Sequence, residues 1–354
     1  MSNRLSKIFG GKKAPVSVFI TSATGLVGAS VVQLIYKDPK YNVTALVRSE
    51  EKAAKLEKLG VNTVVGSLDN AELMTALASQ SDVVIQIADI FNLPGTEALL
   101  KGAKHRFEKT GKKPIYIHTC GTGIWADLGS NGAAPSDKIT KDTDADLVEN
   151  YNGLPHKGPA EAIVAAGKEG YARTFTVYPP TVWGIPKGPI FDAHLAHTSS
   201  IQLPLSIKTS LGRGQGGVVG EGKNVWNHAH VDDVANFYKV LLAKAVSDES
   251  TPSGPKNGHY IIEAGEYNYL ELAKTYTKLL HAAGKSESAE PNQFTAPEFE
   301  AIGFLFILGT NARTQGVRAR QLGWSPKYTT KDFYAGVKAE VDGAVSGTFA
   351  GVPY

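Results

Sequence analysis

Residues 16–28, VSVFITSATGLVG, join an apolar run to two glycines three positions apart, Gly25 and Gly28. Val16 to Ile20 reads as a strand, and Leu26 to Tyr36 as the helix that follows a tight turn. A strand that turns straight into a helix aims backbone N–H groups and the positive helix end at one place, which suits a pyrophosphate. Thr21, Ser22, Thr24, Gly25, Leu26, Val27 and Gly28 are therefore candidate contacts for a dinucleotide. Three residues before Gly25, Ser22 stands where a further glycine is expected. Two readings stay open there. Either the turn keeps a negative φ and the hydroxyl serves as an extra donor to phosphate, or the site is weakened.

A second position reads which dinucleotide. At the end of the second strand an acidic residue would bind a ribose 2′-hydroxyl, whereas an arginine accommodates a 2′-phosphate. The chain reads Val47-Arg48-Ser49 there, with no acid before Glu50. NADP(H) is favoured, and NAD(H) is the alternative.

The elements that must position these residues alternate regularly. Strands are expected at Val43–Val47, Val61–Val65, Val83–Ile87, Ile115–Thr119 and Thr174–Tyr178. Between them fall helices at Glu50–Leu59, Ala71–Ala78, Pro94–Lys109 and Ala160–Lys168. Such alternation predicts an α/β fold with a doubly wound parallel Rossmann sheet. Residues 184–224 are rich in Gly, Pro and Ser, and Leu211–Gly217 reads as loop or turn. A helix from Asp232 to Ala245, with Asp232 or Asp233 as N-cap, a strand at His259–Glu263, and helices at Tyr269–Ala283, Ala296–Leu308 and Thr330–Val345 follow. The expected division is a dinucleotide-binding domain over 14–183 plus about 225–263. A smaller, mostly helical substrate lobe takes about 184–224 and 264–354.

Composition narrows the partners. With 354 residues, 42% apolar and 20% charged, the chain has the make-up of a folded enzyme. A net charge of +3 and no Lys/Arg run beyond two argue against a nucleic-acid partner. The most apolar run, Phe304–Leu308, is too short to span a bilayer, so no membrane partner is expected. The single cysteine, Cys120, excludes an intrachain disulfide and fits a reducing compartment. The N-terminus lacks a secretory apolar core, and the expectation is cytoplasmic, with Arg4 and Lys7 leaving a mitochondrial alternative. His118, His194, His197, His228 and His230 show no metal-ligand spacing. The expected partner is a small-molecule substrate, and a homodimer stays open.

Six segments, taken in order, resemble the extended and atypical short-chain dehydrogenase/reductases, including NmrA-like and epimerase-like members of fungi. They are Ile20–Gly28, Gly66–Asp69, Ile115–Cys120, Tyr178–Gly184, His230–Val234 and Leu322–Pro326. The resemblance spans about residues 14–345. It implies further cofactor contacts at Ser67, Leu68, Ala88, Thr119, Lys157, Tyr178, Pro179 and Val182. It also implies a catalytic hydroxyl near Thr119 or Cys120 and a Tyr-x-x-x-Lys pair. Lys157 takes the lysine slot, on the nicotinamide ribose, and the tyrosine slot falls on Gly153. Ser67 holds the place of an aspartate that touches the adenine.

The missing phenol matters because a lysine cation beside a tyrosine makes it a usable proton donor. Tyr151, in the Gly- and Pro-bearing segment before Lys157, is the candidate substitute, and His156 titrates in the useful range. Cys120 is read as a small buried hydrophobe rather than a nucleophile. His230 is read as part of a helix entry. Trp125, Trp183 and Trp226 suit an aromatic pocket or the core. The leading expectation is an NADPH-dependent oxidoreductase reducing a small, aromatic or other, carbonyl, imine or enone by hydride transfer. A non-catalytic NmrA-like NAD(P) sensor is the alternative, and a sugar-nucleotide epimerase or dehydratase ranks last.

Overall fold

Apolar, β-branched runs bounded by turn residues form the strands of the central sheet, and the computed structural model describes residues 14–348. The Arg4 and Lys7 stretch lies outside the described residues. The strands are β1 (Val16–Ile20), β2 (Tyr41–Val47), β3 (Asn62–Val65), β4 (Val83–Gln86), β5 (Ile115–Thr119) and β6 (Arg173–Tyr178). They alternate with helices α1 (Leu26–Ile35), α2 (Glu50–Lys58), α3 (Ala71–Gln80), α4 (Leu93–Thr110) and α5 (Lys157–Glu169). Ser49, Asn70 and Asn92 cap α2, α3 and α4 through their side chains. Helix α1 differs: Gly25 is its N-cap, and no side chain satisfies its first-turn N–H groups.

Beyond β6 follow β7 (Thr181–Trp183), α6 (Gln202–Arg213), β8 (Val225–His230), α7 (Val231–Ser247), β9 (His259–Ile261), β10 (Glu266–Asn268), α8 (Tyr269–Ala282) and α9 (Thr330–Ser346). The seven-stranded sheet runs β9-β6-β5-β4-β1-β2-β3, parallel throughout. Its order reverses at β1, which sends the chain to β2 on one side and has β4 on the other. Ligands bind at such a switch point, beyond the carboxyl ends of the strands. A three-stranded sheet, β10-β8-β7, stands apart from it.

Among the described residues four apolar clusters form, and the two largest are the main cores. Val18, Ile20, Val32, Ile85, Phe175 and Phe237 fill the first, between the large sheet and the paired helices α1 and α7. Trp183, Trp226, Tyr267, Tyr269, Leu272 and Phe333 belong to the second, with α6, α8 and α9. Among the described residues no helix is long and apolar enough to cross a membrane.

Several expected elements are corrected. Leu211–Arg213 is the last turn of α6, not loop; only from Gly214, at φ 69°, does the chain leave the helix. Leu203 and Ile207 share one buried face of α6, Leu205 is buried on the other side, and Pro204 is tolerated in its first turn. The single helix expected at Ala296–Leu308 splits into Ala296–Ala301 and a 3₁₀ turn at Leu305–Gly309. The N-cap of α7 is His230, whose Nδ1 accepts from Asp232 N, and not Asp232 or Asp233. Asp233 instead accepts from Lys327 N and Tyr328 N.

Candidate functional site

The carboxyl ends of β1 to β4 enclose a cavity of about 270 Å³. Ser22 and Gly25 reach it from the turn after β1, Arg48 from the end of β2, Ser67 and Leu68 from the end of β3, and Ala88 from the end of β4. Thr24 also lines it. Of the other expected contacts, Leu26, Val27 and Gly28 form the first turn of α1 behind that wall.

The turn is tighter than expected. Ser22 stands at φ 65°, so the negative φ considered for it is corrected: a non-glycine residue holds the left-handed region. Its carbonyl accepts from Gly25 N at 3.0 Å. A Cβ at Gly28 would come within 2.0 Å of Ser22 O, and one at Gly25 within 2.3 Å of Ser22 Oγ. Gly28 is therefore required by close approach of the Ser22 carbonyl to α1, whereas at Gly25 only the rotatable Ser22 hydroxyl stands in the way. Thr21 does not face the cavity. Its Oγ1 accepts from Ile87 N and Ala88 N and ties the end of β1 to the end of β4.

The chemical end of the site departs further from expectation. Thr119 is buried, and its hydroxyl is engaged with Tyr238 Oη at 2.6 Å, so it is not presented to a substrate. Burial pushes the Cys120 thiol up to about 12, which removes a thiolate nucleophile at neutral pH.

Tyr151 is buried and bonded to Tyr178 Oη at 2.5 Å, and Tyr178 is bonded to His259 Nδ1 at 2.8 Å. His259 Nε2 faces Pro255 O at 2.9 Å and must carry the proton there. Nδ1 is then an acceptor, because burial holds the ring neutral. Tyr178 donates to it, and Tyr151 donates to Tyr178. The proposed proton donor thus spends its proton in the interior, and burial raises its pKa well above the ordinary phenol value. Tyr178, expected at the cofactor, is fully buried in the same chain. Pro179 is buried too, with its carbonyl taken by Thr122 N, and Val182 lies half-buried in β7 opposite Ala229.

Lys157 opens α5, half-exposed, with Nζ 3.7 Å from Glu161 Oε1. Gly153 lies in the open, and a Cβ there would meet nothing within 4 Å. Close by, His156 is buried with neither ring nitrogen bonded. Its ring lies 3.9 Å from where a Cβ of Gly123 would stand, and the edge of Trp226 lies 3.6 Å from the same point. Thr122 Oγ1 and His118 Nε2 are likewise buried without partners. Desolvation holds His156 down at about 4 and His118 at about 3, so both are neutral at neutral pH. Sequence reasoning weighed His118 only as a metal ligand and did not single out Thr122; they sit in an apolar strand and a Gly-rich turn.

The three tryptophans do not share one pocket wall. Trp183 donates to His228 Nδ1 and Trp226 to Thr310 O within the second core, and Trp125 packs on Tyr178 with ring centres 4.5 Å apart. Among the described residues no cluster of three or more His, Cys, Asp or Glu could hold a metal.

Comparison with known proteins adds three findings. Residues 15–99 match the model of the NmrA-like family. The chain is 29% identical over 327 residues to the oxidase ucsJ of an Acremonium species, covering 87% of this chain and 92% of that protein. It is 24% identical over 321 residues to an uncharacterized protein of Schizosaccharomyces pombe, covering 88% and 96%.

Among solved structures it is similar to a UDP-glucose 4-epimerase of Thermotoga maritima, with a TM-score of 0.62 at 16% identity, covering 94% and 99% of the two chains. The dTDP-glucose 4,6-dehydratase DesIV of Streptomyces venezuelae, with NAD bound, gives 0.63 at 16%, covering 92% and 96%. At such identities the likeness concerns the fold, which is Rossmann-like and α/β as expected. The NmrA-like match and the epimerase-type fold bear out the family resemblance read from the sequence.

Proposed function

We propose that this chain, NmrA-like over residues 15–99 and epimerase-like in fold, is an NADPH-dependent oxidoreductase acting on a small carbonyl, imine or enone in the cytoplasm. One observation carries the reading: the cavity at the switch point has Arg48 at its β2 corner and Gly25, the N-cap residue of α1, in its wall. The residues fit the cofactor, since Ser22, Thr24, Gly25 and Arg48 line the cavity and no side chain caps the first turn of α1. The α1 amides hold the pyrophosphate, Arg48 pairs with the 2′-phosphate, and Lys157 holds the nicotinamide ribose. NADPH, when bound, supplies the hydride. An arginine–phosphate pair is charge-assisted and bidentate, which makes Arg48 the selecting group. The relative named as an oxidase supports a redox reaction.

Among the described residues Lys157 pairs with Glu161, and the Tyr151 hydroxyl is bonded to Tyr178 instead. Holding the reactants together contributes roughly 7–11 kcal/mol, whereas a general acid adds about 10²–10⁴-fold. Turnover therefore persists at a reduced rate, with water at the open Gly153 position delivering the proton. The test is a fluorescence titration of the full chain with NADPH, NADH and their oxidised forms, followed by a carbonyl, imine and enone panel. Tight NADPH binding with the whole panel left unreduced would turn the reading to its alternative, an NmrA-like NAD(P) sensor. The inward-turned Tyr151 and open Gly153 favour that alternative. A sensor distinguishes the oxidised from the reduced cofactor or changes its hold on a protein partner between them.

A further inference from the structure

The segment joining β7 to α6 does not run off into solvent. It returns over the turn after β1, where His197 N donates to Thr24 O at 3.0 Å. Leu195, buried in the first core, and Ser199 and Ser200, buried on the other side, hold that crossing in place. The half-buried His197 side chain lines the same cavity as Ser22, Thr24 and Arg48. Lys52, in the first turn of α2, and Arg48 both act electrostatically on its ring. Asp69, after β3, and Asp89, after β4, are the acidic groups of that cavity. Arg48 and His197 thus line one cavity, and Lys52 is near enough to act on the imidazole.

We propose that His197 is a further specificity-determining residue, a donor to the 2′-phosphate of NADP(H) that acts together with Arg48 and Lys52. This rests on the NADPH reading above. An apolar or neutral ribose edge would give this cavity no reason to set such groups together, whereas a phosphate dianion satisfies all of them. The same geometry predicts a proton signature. Without ligand, burial and the neighbouring charges of Lys52 and Arg48 hold the imidazole below its ordinary pKa, so it is neutral at pH 7. A phosphate dianion placed among these groups reverses the local field, and His197 takes up a proton as the ligand binds. The phosphate's own titration has the opposite sign, because binding favours its dianion and releases a proton. Net uptake therefore identifies the histidine.

The experiment is calorimetric titration of the full chain with NADPH and NADH at pH 7, in two buffers of different ionisation enthalpy. The wild type is expected to take up protons with NADPH and none with NADH. His197→Ala is expected to weaken NADPH by about tenfold, abolish the uptake and leave NADH affinity unchanged, which also shows that the variant is folded. His197→Lys is expected to restore NADPH affinity without uptake. An Ala variant that keeps both the wild-type NADPH affinity and the uptake overturns the inference while the NADPH reading stands. A wild type that binds NADPH and NADH alike overturns the NADPH reading itself, and the inference with it.

Discussion

Tyr151 Oη lies 2.5 Å from Tyr178 Oη, and the bond runs inward, from Tyr151 through Tyr178 to His259. A phenol used in this way braces the interior and has no proton left for a substrate. Tyr151→Phe should therefore cost about 0.5–1.5 kcal/mol of stability, the net worth of one hydrogen bond. Turnover should stay within about twofold, because a proton donor would cost about 10²–10⁴. Urea unfolding and steady-state kinetics on the same preparation separate the two roles. A hundredfold loss of kcat at unchanged stability would restore Tyr151 to the chemistry.

Gly153 offers the converse experiment. Its Cβ direction is open, and its φ is not positive, so a tyrosine fits there without strain. Four residues before Lys157 in sequence, the new phenol has the spacing of the pair that the resemblance implies, although α5 begins only at Lys157. Gly153→Tyr should raise kcat at least tenfold toward the general-acid contribution of about 10²–10⁴, with cofactor affinity unchanged. A sensor without any reaction would show no turnover in either form, so the pair of kinetic assays also discriminates the two functional readings.

Arg48→Glu should weaken NADPH by about 10–100-fold, the worth of a hydrogen bond to a charged group, and NADH by much less. The carboxylate would repel a 2′-phosphate yet accept from a 2′-hydroxyl. Fluorescence titration with both reduced cofactors reads the ratio. An unchanged ratio removes Arg48 from the cofactor site.

The alternation of β1 to β6 with α1 to α5 was legible because each element is marked locally, by an apolar run, a cap or a proline in a first turn. Strand β8 was not, since Asn227, His228 and His230 interrupt its apolar pattern. Asn227 Oδ1 accepts from Thr314, His228 bonds Thr330 and His230 stacks on Tyr328, all partners from far along the chain. The cofactor turn was legible from two glycines and an arginine. The direction of Tyr151 was not, because it is set by His259 on the edge strand β9. His197 escaped for the same reason: nothing near it in sequence says that its segment crosses back over Thr24.

Ser22 holds a φ of 65°, a region that costs a non-glycine residue roughly 1–2 kcal/mol. Glycine there removes the strain but adds about 0.5–1 kcal/mol of unfolded-state freedom. Ser22→Gly should therefore stabilise the protein by at most about 1.5 kcal/mol by that balance, and Ser22→Val, with a branched Cβ, should destabilise it. Denaturant midpoints at constant m-value check both signs. A glycine variant less stable than the wild type would mean that the hydroxyl contributes more than the strain costs.

Glu340 makes stability depend on pH in an unusual direction. It is fully buried in α9, with Oε1 accepting from Gly184 N at 3.1 Å and Oε2 without a partner. Desolvation pushes its pKa from 4.5 up to about 7. Between these values the folded protein keeps a proton that the unfolded chain has released. Stability therefore falls as pH rises through that window, by at most about 1.4 kcal/mol per pH unit for this group, and levels off above pH 7. Glu340→Gln mimics the protonated form, keeps an acceptor for Gly184 N and carries no charge to desolvate. It should leave stability at pH 5 nearly unchanged, raise it at pH 8 by about 2–3 kcal/mol, and flatten the profile between them. Urea unfolding of both proteins across that range is the measurement, and a parallel pair of profiles would show that Glu340 is ionised in the folded protein.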